Sequence, residues 1–389
     1  MNNEKSPIKF TYIDNQIQLE LLVSSINQTD AIAIDTEFTR SSTYFPILSI
    51  IQLAINTKNH EKLFYIIDCY CQLDLSSFFK IISNQKIKKI LHSSLQDLQI
   101  FFQKNQDRPQ AIIDTQILAN LCGFKANIGY ANLIEEFFGE VIDKKLQNSD
   151  WNKRPLTNRQ LEYAITDVLY LHEIYQELQI IIEKLNRQQY YSEDIEKFID
   201  RALQDNKESL VKKILSTKKN LINQNLLIKL IIWREDQARI LDIPRQHLIS
   251  DRDLQKIAES KIIDPIIIDK ISNKLSTELI EIIKQYCQQD IENKDCIKIK
   301  DVIYQDYYEL NSSQKQIFFE AKKIINHLAN QLKISEQFLL TSSDLKKIIN
   351  ESEHQQDNLE AIMIEGIGHW RTSILINPLA QLLNKKHNF

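Results

Sequence analysis

Asp35 and Glu37 stand two residues apart in the stretch AIAIDTEF, residues 31–38. The apolar run around them reads as a buried strand, and residues i and i+2 of a strand share one face, about 6.7 Å apart. Two like charges on one face repel and are costly to bury without a partner. Asp97, in LHSSLQDLQIFF (91–102), falls early in a helix between Leu95, Leu98 and Phe101. Alone it reads as favourable charge at a helix N-terminus. Tyr163 and Asp167, in RPLTNRQLEYAITDVLYL (154–171), are spaced i and i+4 and share one helix face. Alone they read as a surface hydrogen bond. Together, four carboxylates and a phenol form an oxygen-rich set suited to hard divalent cations. Mg²⁺ is held by a few carboxylates plus substrate phosphate. Two such ions ~3.5–4 Å apart clamp an in-line phosphoryl displacement.

The elements that must carry these groups are legible in outline. AIAIDTEF, LSIIQLAI, KLFYIID and KKILHS read as strands, the first three in quick succession. That order implies an antiparallel meander followed by α/β crossovers, hence a mixed sheet flanked by helices. From about residue 112 helical spacing takes over, through DTQILANLCG and YANLIEEFFG to one long helix from 158 to about 186. Thr157 and Gln160 form a capping box, and Leu156 with Leu161 a hydrophobic staple, fixing that helix's start near Asn158. Asp114 reads as a helix cap, and His92 as a structural residue. After residue 205 the chain reads as all-helical. There IPRQHLISDRDLQKIA (243–258) aligns without a gap to ISEQFLLTSSDLKKII (334–349), which implies a duplicated helical module.

Composition narrows the function classes. With 389 residues, 43% hydrophobic and 26% charged, the chain can build a packed core over two or three domains. Its net charge of −4 does not announce a nucleic-acid binder. Five cysteines, an odd number without a CxxC pair, fit a reducing cytoplasm and argue against disulfides or a zinc knuckle. No apolar run reads as a signal peptide or membrane span. With five glycines there is no P-loop, and the GIG at 366–368 has Arg371 where a dinucleotide motif needs a third glycine, so no nucleotide cofactor is expected.

On Asp35, Glu37, Asp97, Tyr163 and Asp167 the sequence resembles the DEDDy 3′–5′ exonucleases, and among them the bacterial ribonuclease D group. Glu162 stands where the sister DEDDh branch has histidine, which indicates the tyrosine branch. The surrounding text is also similar: DTEF, IQLA, His92 five residues before Asp97, DTQ at 114–116, and DWNKRPLTNRQLEYAITD at 150–167. The segment LLIKLIIWREDQARILDIPRQHLISDRDLQKIAE (226–259) resembles the helical HRDC module, and the second repeat copy matches it more loosely.

The resemblance implies an α/β RNase H-like exonuclease domain over 1–205, then two all-α HRDC-like domains over 212–296 and 310–389. It implies hydrolytic trimming of tRNA precursors from the 3′ end, releasing nucleoside 5′-monophosphates, by a cytoplasmic monomer without membrane attachment. Two divalent cations are implied, Mg²⁺ first and Mn²⁺ as the alternative, held by Asp35, Glu37, Asp97 and Asp167. Asp35 would bridge them, Asp97 would act through its water shell, and Tyr163 would orient the attacking water. Phe38 would stack on a terminal base or belong to the core. Lys153, Arg154 and Arg159 would bind phosphates or form a solvated helix start. A DNA exonuclease and an inactive RNA-binding scaffold are the competing readings.

Overall fold

The structure, a computed structural model, describes residues 8–59, 61–142, 145–147, 149–204, 207–215, 224–259, 310–354 and 358–385. The chain divides into two compact units. Met1–Thr39, Leu48–Gln204 and Leu310–Phe389 form one; Arg40–Ile47 and Asp205–Glu309 form the other.

The first unit is built on a six-stranded mixed sheet. Its strands are β1 (Thr11–Ile13), β2 (Ala31–Thr39), β3 (Ile47–Asn56), β4 (Lys62–Asp68), β5 (Lys88–Leu91) and β6 (Ile112–Asp114), in the order β1-β4-β3-β2-β5-β6. β3 and β4 pair antiparallel, whereas β1–β4, β2–β5 and β5–β6 are parallel. The expected mixed sheet is therefore present. β1 and β6 were not read from the sequence; each is a three-residue strand at a sheet edge, too short to show a period. Helix α4 (Thr115–Cys122) accordingly begins only after β6.

Strand alternation sorts β2 between two apolar layers. Ile32 and Ile34 point into one, with α1 (Gln16–Ile26), α2 (Ser76–Ile82) and α3 (Leu95–Asn105). Ala33 points into the other, with Ala54 of β3 and Ala164, Ile165 and Val168 of α6 (Asn158–Leu169). Small side chains at 33, 54 and 164 let α6 lie close on the sheet. The α6 start carries the expected capping box between Thr157 and Gln160.

The long helix expected over 158–186 is two helices. α6 ends at Leu169, and α7 (Leu171–Lys184) begins after Tyr170, whose backbone (φ −111°, ψ 2°) leaves the helical region. The tyrosine at the start of α5 (Tyr130–Phe138) causes the break. Its hydroxyl donates to the Thr166 carbonyl (3.1 Å) and accepts from the Tyr170 N–H (2.9 Å), two groups that would otherwise bond to each other.

The C-terminal helices belong to this unit. They are α13 (Ser312–Leu332), α14 (Glu336–Leu339), α15 (Ser342–His354), α16 (Leu359–Ile367) and α17 (His369–Lys385), numbered after α8 (Gln188–Leu203) and the four helices of the second unit given below. One continuous apolar cluster runs from Ile32 and Ile34 through α4, α7 and α8 to Leu379 and Leu383 of α17. Glu193 of α8 accepts the N–H groups of His369 (2.8 Å) and Trp370 (3.1 Å) at the α17 N-terminus. Asp194 accepts from the Trp370 indole (2.9 Å) and pairs with Arg371 (2.5 Å). Trp370 stacks on Tyr190, ring centroids 4.7 Å apart. Gly368 (φ 92°, ψ 171°) holds a backbone conformation that side-chain-bearing residues rarely adopt, and a Cβ there would also displace the Glu193 carboxylate. That is the use the fold makes of the second glycine of GIG.

In the second unit, α9 (Lys207–Leu215), α10 (Gln224–Leu241), α11 (Arg245–Leu248) and α12 (Asp251–Glu259) are described; residues 216–223 and 260–309 of the expected 212–296 module lie outside the described residues. Buried Arg234 clamps the α11–α12 corner by donating to the Ile249 carbonyl (2.7 Å) and to Asp251 (2.7 Å). The internal repeat is a repeat of conformation. Asp242 and Lys333 both adopt left-handed φ after a helix, at 49° and 52°. Ile243 and Ile334 then donate back to Ala238 and Ala329 (3.1 and 3.0 Å), as in a Schellman C-cap. Ser250 and Thr341 next cap the following helices through the N–H groups of Asp253 and Asp344.

Candidate active site

Because Ala33 faces α6, Asp35 and Glu37 face it too, and α6 presents Tyr163 and Asp167 in return. One oxygen from each of Asp35, Glu37 and Asp167 lies within 4.8 Å of the others. The groups open into a cleft of about 550 Å³ that is also lined by Phe38, His92, Gln96, Asp97, Gln116, Tyr130 and Tyr163. All four acids and the tyrosine picked from the sequence thus meet in one place. Asp97 arrives differently from the other three. Thr36, between the two β2 acids, points to the opposite face of the strand, and its hydroxyl donates to the Asp97 carboxylate. The middle residue of Asp-Thr-Glu therefore ties α3 to β2, a contact that two-residue spacing alone does not suggest.

The helix bearing Asp97 is set by Asp114. Its carboxylate accepts from the Ser94 N–H (2.7 Å), the Ser94 hydroxyl (2.8 Å) and the α4 amides of Gln116 (2.9 Å) and Ile117 (3.2 Å). The expected helix cap also anchors the turn leading into α3. His92 Nδ1 lies 3.0 Å from the Thr115 hydroxyl.

Electrostatics at the cleft are unfavourable without a cation. Burial, then the charges of Asp97, Asp167 and Glu37, hold the Asp35 carboxyl well above the carboxylate range. Burial, then Asp167 and Asp97, push Glu37 up to about 9. Burial pushes Asp97 up to about 7 against the lowering effect of the Thr36 bond, and pushes Asp167 up to about 7. Burial and the neighbouring acids also raise the Tyr163 phenol above its ordinary value. Such a carboxylate set fits a hard divalent cation, whose charge offsets the repulsion.

A stability prediction follows with its sign. Glu37 titrates near 4.5 when unfolded and about 9 when folded, so the folded state holds the extra proton between those values. That contribution is fully present below pH 4.5 and is lost as pH rises towards 9. Asp97 and Asp167 act the same way between 3.8 and about 7. Chelator-treated protein should therefore melt lower at pH 8 than at pH 5.5, and saturating Mg²⁺ should raise the melting temperature more at pH 8. Equal increments at both values would contradict the electrostatic account.

The proposed gripping residues fare unevenly. Phe38 lines the cleft, while Lys153, Arg154 and Arg159 do not. Arg154 is committed to the fold. It donates to Asp68 twice (2.7 and 2.8 Å) and to the carbonyls of Trp151 (2.7 Å), Lys153 (3.1 Å) and Ser49 (3.0 Å). That commitment corrects its reading as a phosphate ligand. Lys153 and Arg159 are exposed.

The sequence profile described as 3′–5′ exonuclease matches residues 10–183, the span that carries all five cleft residues. Over 97% of this chain, ribonuclease D of Bartonella henselae is 28% identical, with 91% of that protein covered. Ribonuclease D of a Shewanella strain is 29% identical over 97% of this chain and 95% of its own. The crystal structure of Escherichia coli RNase D, described as an exoribonuclease involved in structured RNA processing, superposes with a TM-score of 0.75 at 25% identity, covering 97% of this chain and all of that one. The chain is similar to ribonuclease D proteins over nearly its whole length. It is a 3′–5′ exoribonuclease, a hydrolase acting on RNA, and the RNase H-like fold with helical C-terminal region is that of the family. The acidic cluster is consistent with divalent-cation use in a ribonuclease D. No helix among the described residues is long and apolar enough to cross a membrane.

Thr36→Val tests the acidic cluster at its least obvious contact. Removing the donor to Asp97 should lower activity about 10–100-fold, the scale for groups that orient a metal-site carboxylate. Wild-type rates across a Mg²⁺ titration would show the bond to be dispensable.

Proposed function

We propose that the cluster Asp35, Glu37, Asp97, Tyr163 and Asp167 hydrolyses the 3′-terminal phosphodiester of RNA, and that the physiological substrates are tRNA precursors with 3′ extensions. The observation that carries the reading is the convergence of carboxylate oxygens from β2 and α6 within 4.8 Å. Two divalent cations, Mg²⁺ or alternatively Mn²⁺, held by Asp35, Glu37 and Asp167 with Asp97 beside them, would supply the charge that activates water and stabilises the leaving oxygen.

The protein's own groups do the rest. Tyr163 holds the attacking water by a hydrogen bond; with its phenol raised above the ordinary value near 10, it orients rather than deprotonates. Water oxygen bonds to phosphorus, the bond from phosphorus to the 3′ oxygen breaks, and the proton released by water balances the one taken up by the new 3′-hydroxyl. A nucleoside 5′-monophosphate leaves. Phe38, at the cleft wall, stacks on the terminal base. Lys153 and Arg159, exposed near the α6 start, contact phosphates upstream, and Arg154 does not.

The regions 212–296 and 310–389 are read as HRDC-like modules that supply weak, mostly electrostatic contacts to structured RNA. The protein is read as a cytoplasmic monomer, and its cysteine usage supports the reducing compartment. A comparison of 3′-extended tRNA, an unstructured RNA and matched DNA at equal concentration tests substrate choice. The reading expects the highest kcat/KM on the extended tRNA. Equal rates on DNA would overturn the RNA assignment, and equal rates on the two RNAs the tRNA assignment.

A further inference from the structure

The break between α6 and α7 has no local cause. No glycine or proline lies between Thr166 and Leu171, and Tyr170 keeps a negative φ. Sharp departures from a helix arise at proline, at Gly/Ser pairs, at π-bulges or where a side chain enters the backbone ladder. Here the last applies. The Tyr130 hydroxyl occupies the gap between the Thr166 carbonyl and the Tyr170 N–H, satisfying both.

The bonded carbonyl immediately precedes Asp167, and the cleft wall continues on the far side of the break at Leu171. The Tyr130 ring itself lines the cleft, 5.8 Å from the His92 ring. Its phenol is held well above the ordinary value, first by burial, against the lowering effect of the Tyr170 bond, and further by the charges of Asp167 and Asp35. Without the hydroxyl, the Tyr170 N–H can return to the Thr166 carbonyl and α6 can run on into α7. The last turn of α6 would then rotate and carry Asp167 with it.

We infer that Tyr130 is a positioning residue for Asp167: its hydroxyl, wedged into the helix at Thr166 and Tyr170, sets the turn that aims the Asp167 carboxylate at Asp35 and Glu37. The inference rests on the reading of those acids as the site of hydrolysis. It differs from a packing role in what it predicts. Tyr130→Phe keeps the ring and the apolar contacts and removes only the wedge.

The test compares wild type, Tyr130→Phe, Asp167→Ala and, as a packing control, Ile134→Val in the buried face of α5. Tyr130→Phe should lower kcat by about 10²-fold, the cost of a misplacement near 1 Å, with KM for RNA little changed. Independently of activity, calorimetric titration with Mn²⁺ should show binding weakened about tenfold or more. Ile134→Val should match wild type in both. If Tyr130→Phe has the kcat and Mn²⁺ affinity of wild type while Asp167→Ala is inactive, the inference fails and the reading of the site stands. If Asp167→Ala remains active, the reading of the site fails and the inference with it. If Tyr130→Phe and Ile134→Val lose kcat equally with unchanged Mn²⁺ affinity, Tyr130 serves packing alone and the inference is overturned.

Discussion

Asp167→Ala abolishes turnover while RNA binding persists. The substitution removes one of the three carboxylates whose oxygens converge within 4.8 Å, and it removes the one that α6 contributes. Groups that act as a unit fail together, so kcat should fall by at least about 10³-fold. The same change relieves repulsion. Asp167 is among the charges that push Asp35 and Glu37 upward, so the metal-free variant should be more stable than wild type at pH 8, where those acids are the costliest to ionise. Lost activity together with gained metal-free stability marks a functional acid. Lost activity with lost stability would mark a structural one. RNA affinity, read by filter binding in chelator, should change less than about threefold, because the phosphate contacts proposed for Lys153 and Arg159 remain.

Asp194→Ala lowers the stability of the catalytic unit sharply. Asp194 sits on α8 with its side chain 7% exposed and bonds both Arg371 and the Trp370 indole. Removing one member of a buried pair leaves the other charge uncompensated, at a cost of about 3–5 kcal/mol. The Phe338 carbonyl, which also accepts from Arg371, moderates that loss. The measurement is the chemical denaturation midpoint of the full chain. The continuous apolar cluster extends the prediction to the whole module: removing residues 310–389 uncovers α8, and activity should fall on short single strands as well as on structured RNA. Loss confined to structured RNA would mean that these helices serve recognition and not the fold.

The site was legible in residue types and opaque in its supports. AIAIDTEF shows its strand and its two facing acids because a period of two is written in adjacent residues. The α6 start is legible for the same reason, since Thr157, Gln160, Leu156 and Leu161 are local. Convergence of Asp167 on Asp35 depends on small residues at 33, 54 and 164 that let α6 approach, and alanines carry no spacing signal. Thr36 and Tyr130 were missed because their partners, Asp97 and the Thr166–Tyr170 turn, lie far along the chain. Arg154 was misread for a related reason. Its neighbours suggest a basic patch, while its main partner, Asp68, lies far along the chain at the end of β4. The repeat at 243 and 334 was visible because helix caps and left-handed turns draw on a small set of residue types.

The central claim is that one carboxylate cluster removes nucleotides from an RNA 3′ end with the help of divalent cations. It is tested most directly on 5′-labelled RNA with a free 3′-hydroxyl, incubated with Mg²⁺ or with chelator, with the released product identified by mass. The predicted result is a ladder shortening one nucleotide at a time from the 3′ end, nucleoside 5′-monophosphate as the product, and no reaction in chelator. Internal cleavage, a nucleoside 3′-monophosphate product, or undiminished activity in chelator would contradict it.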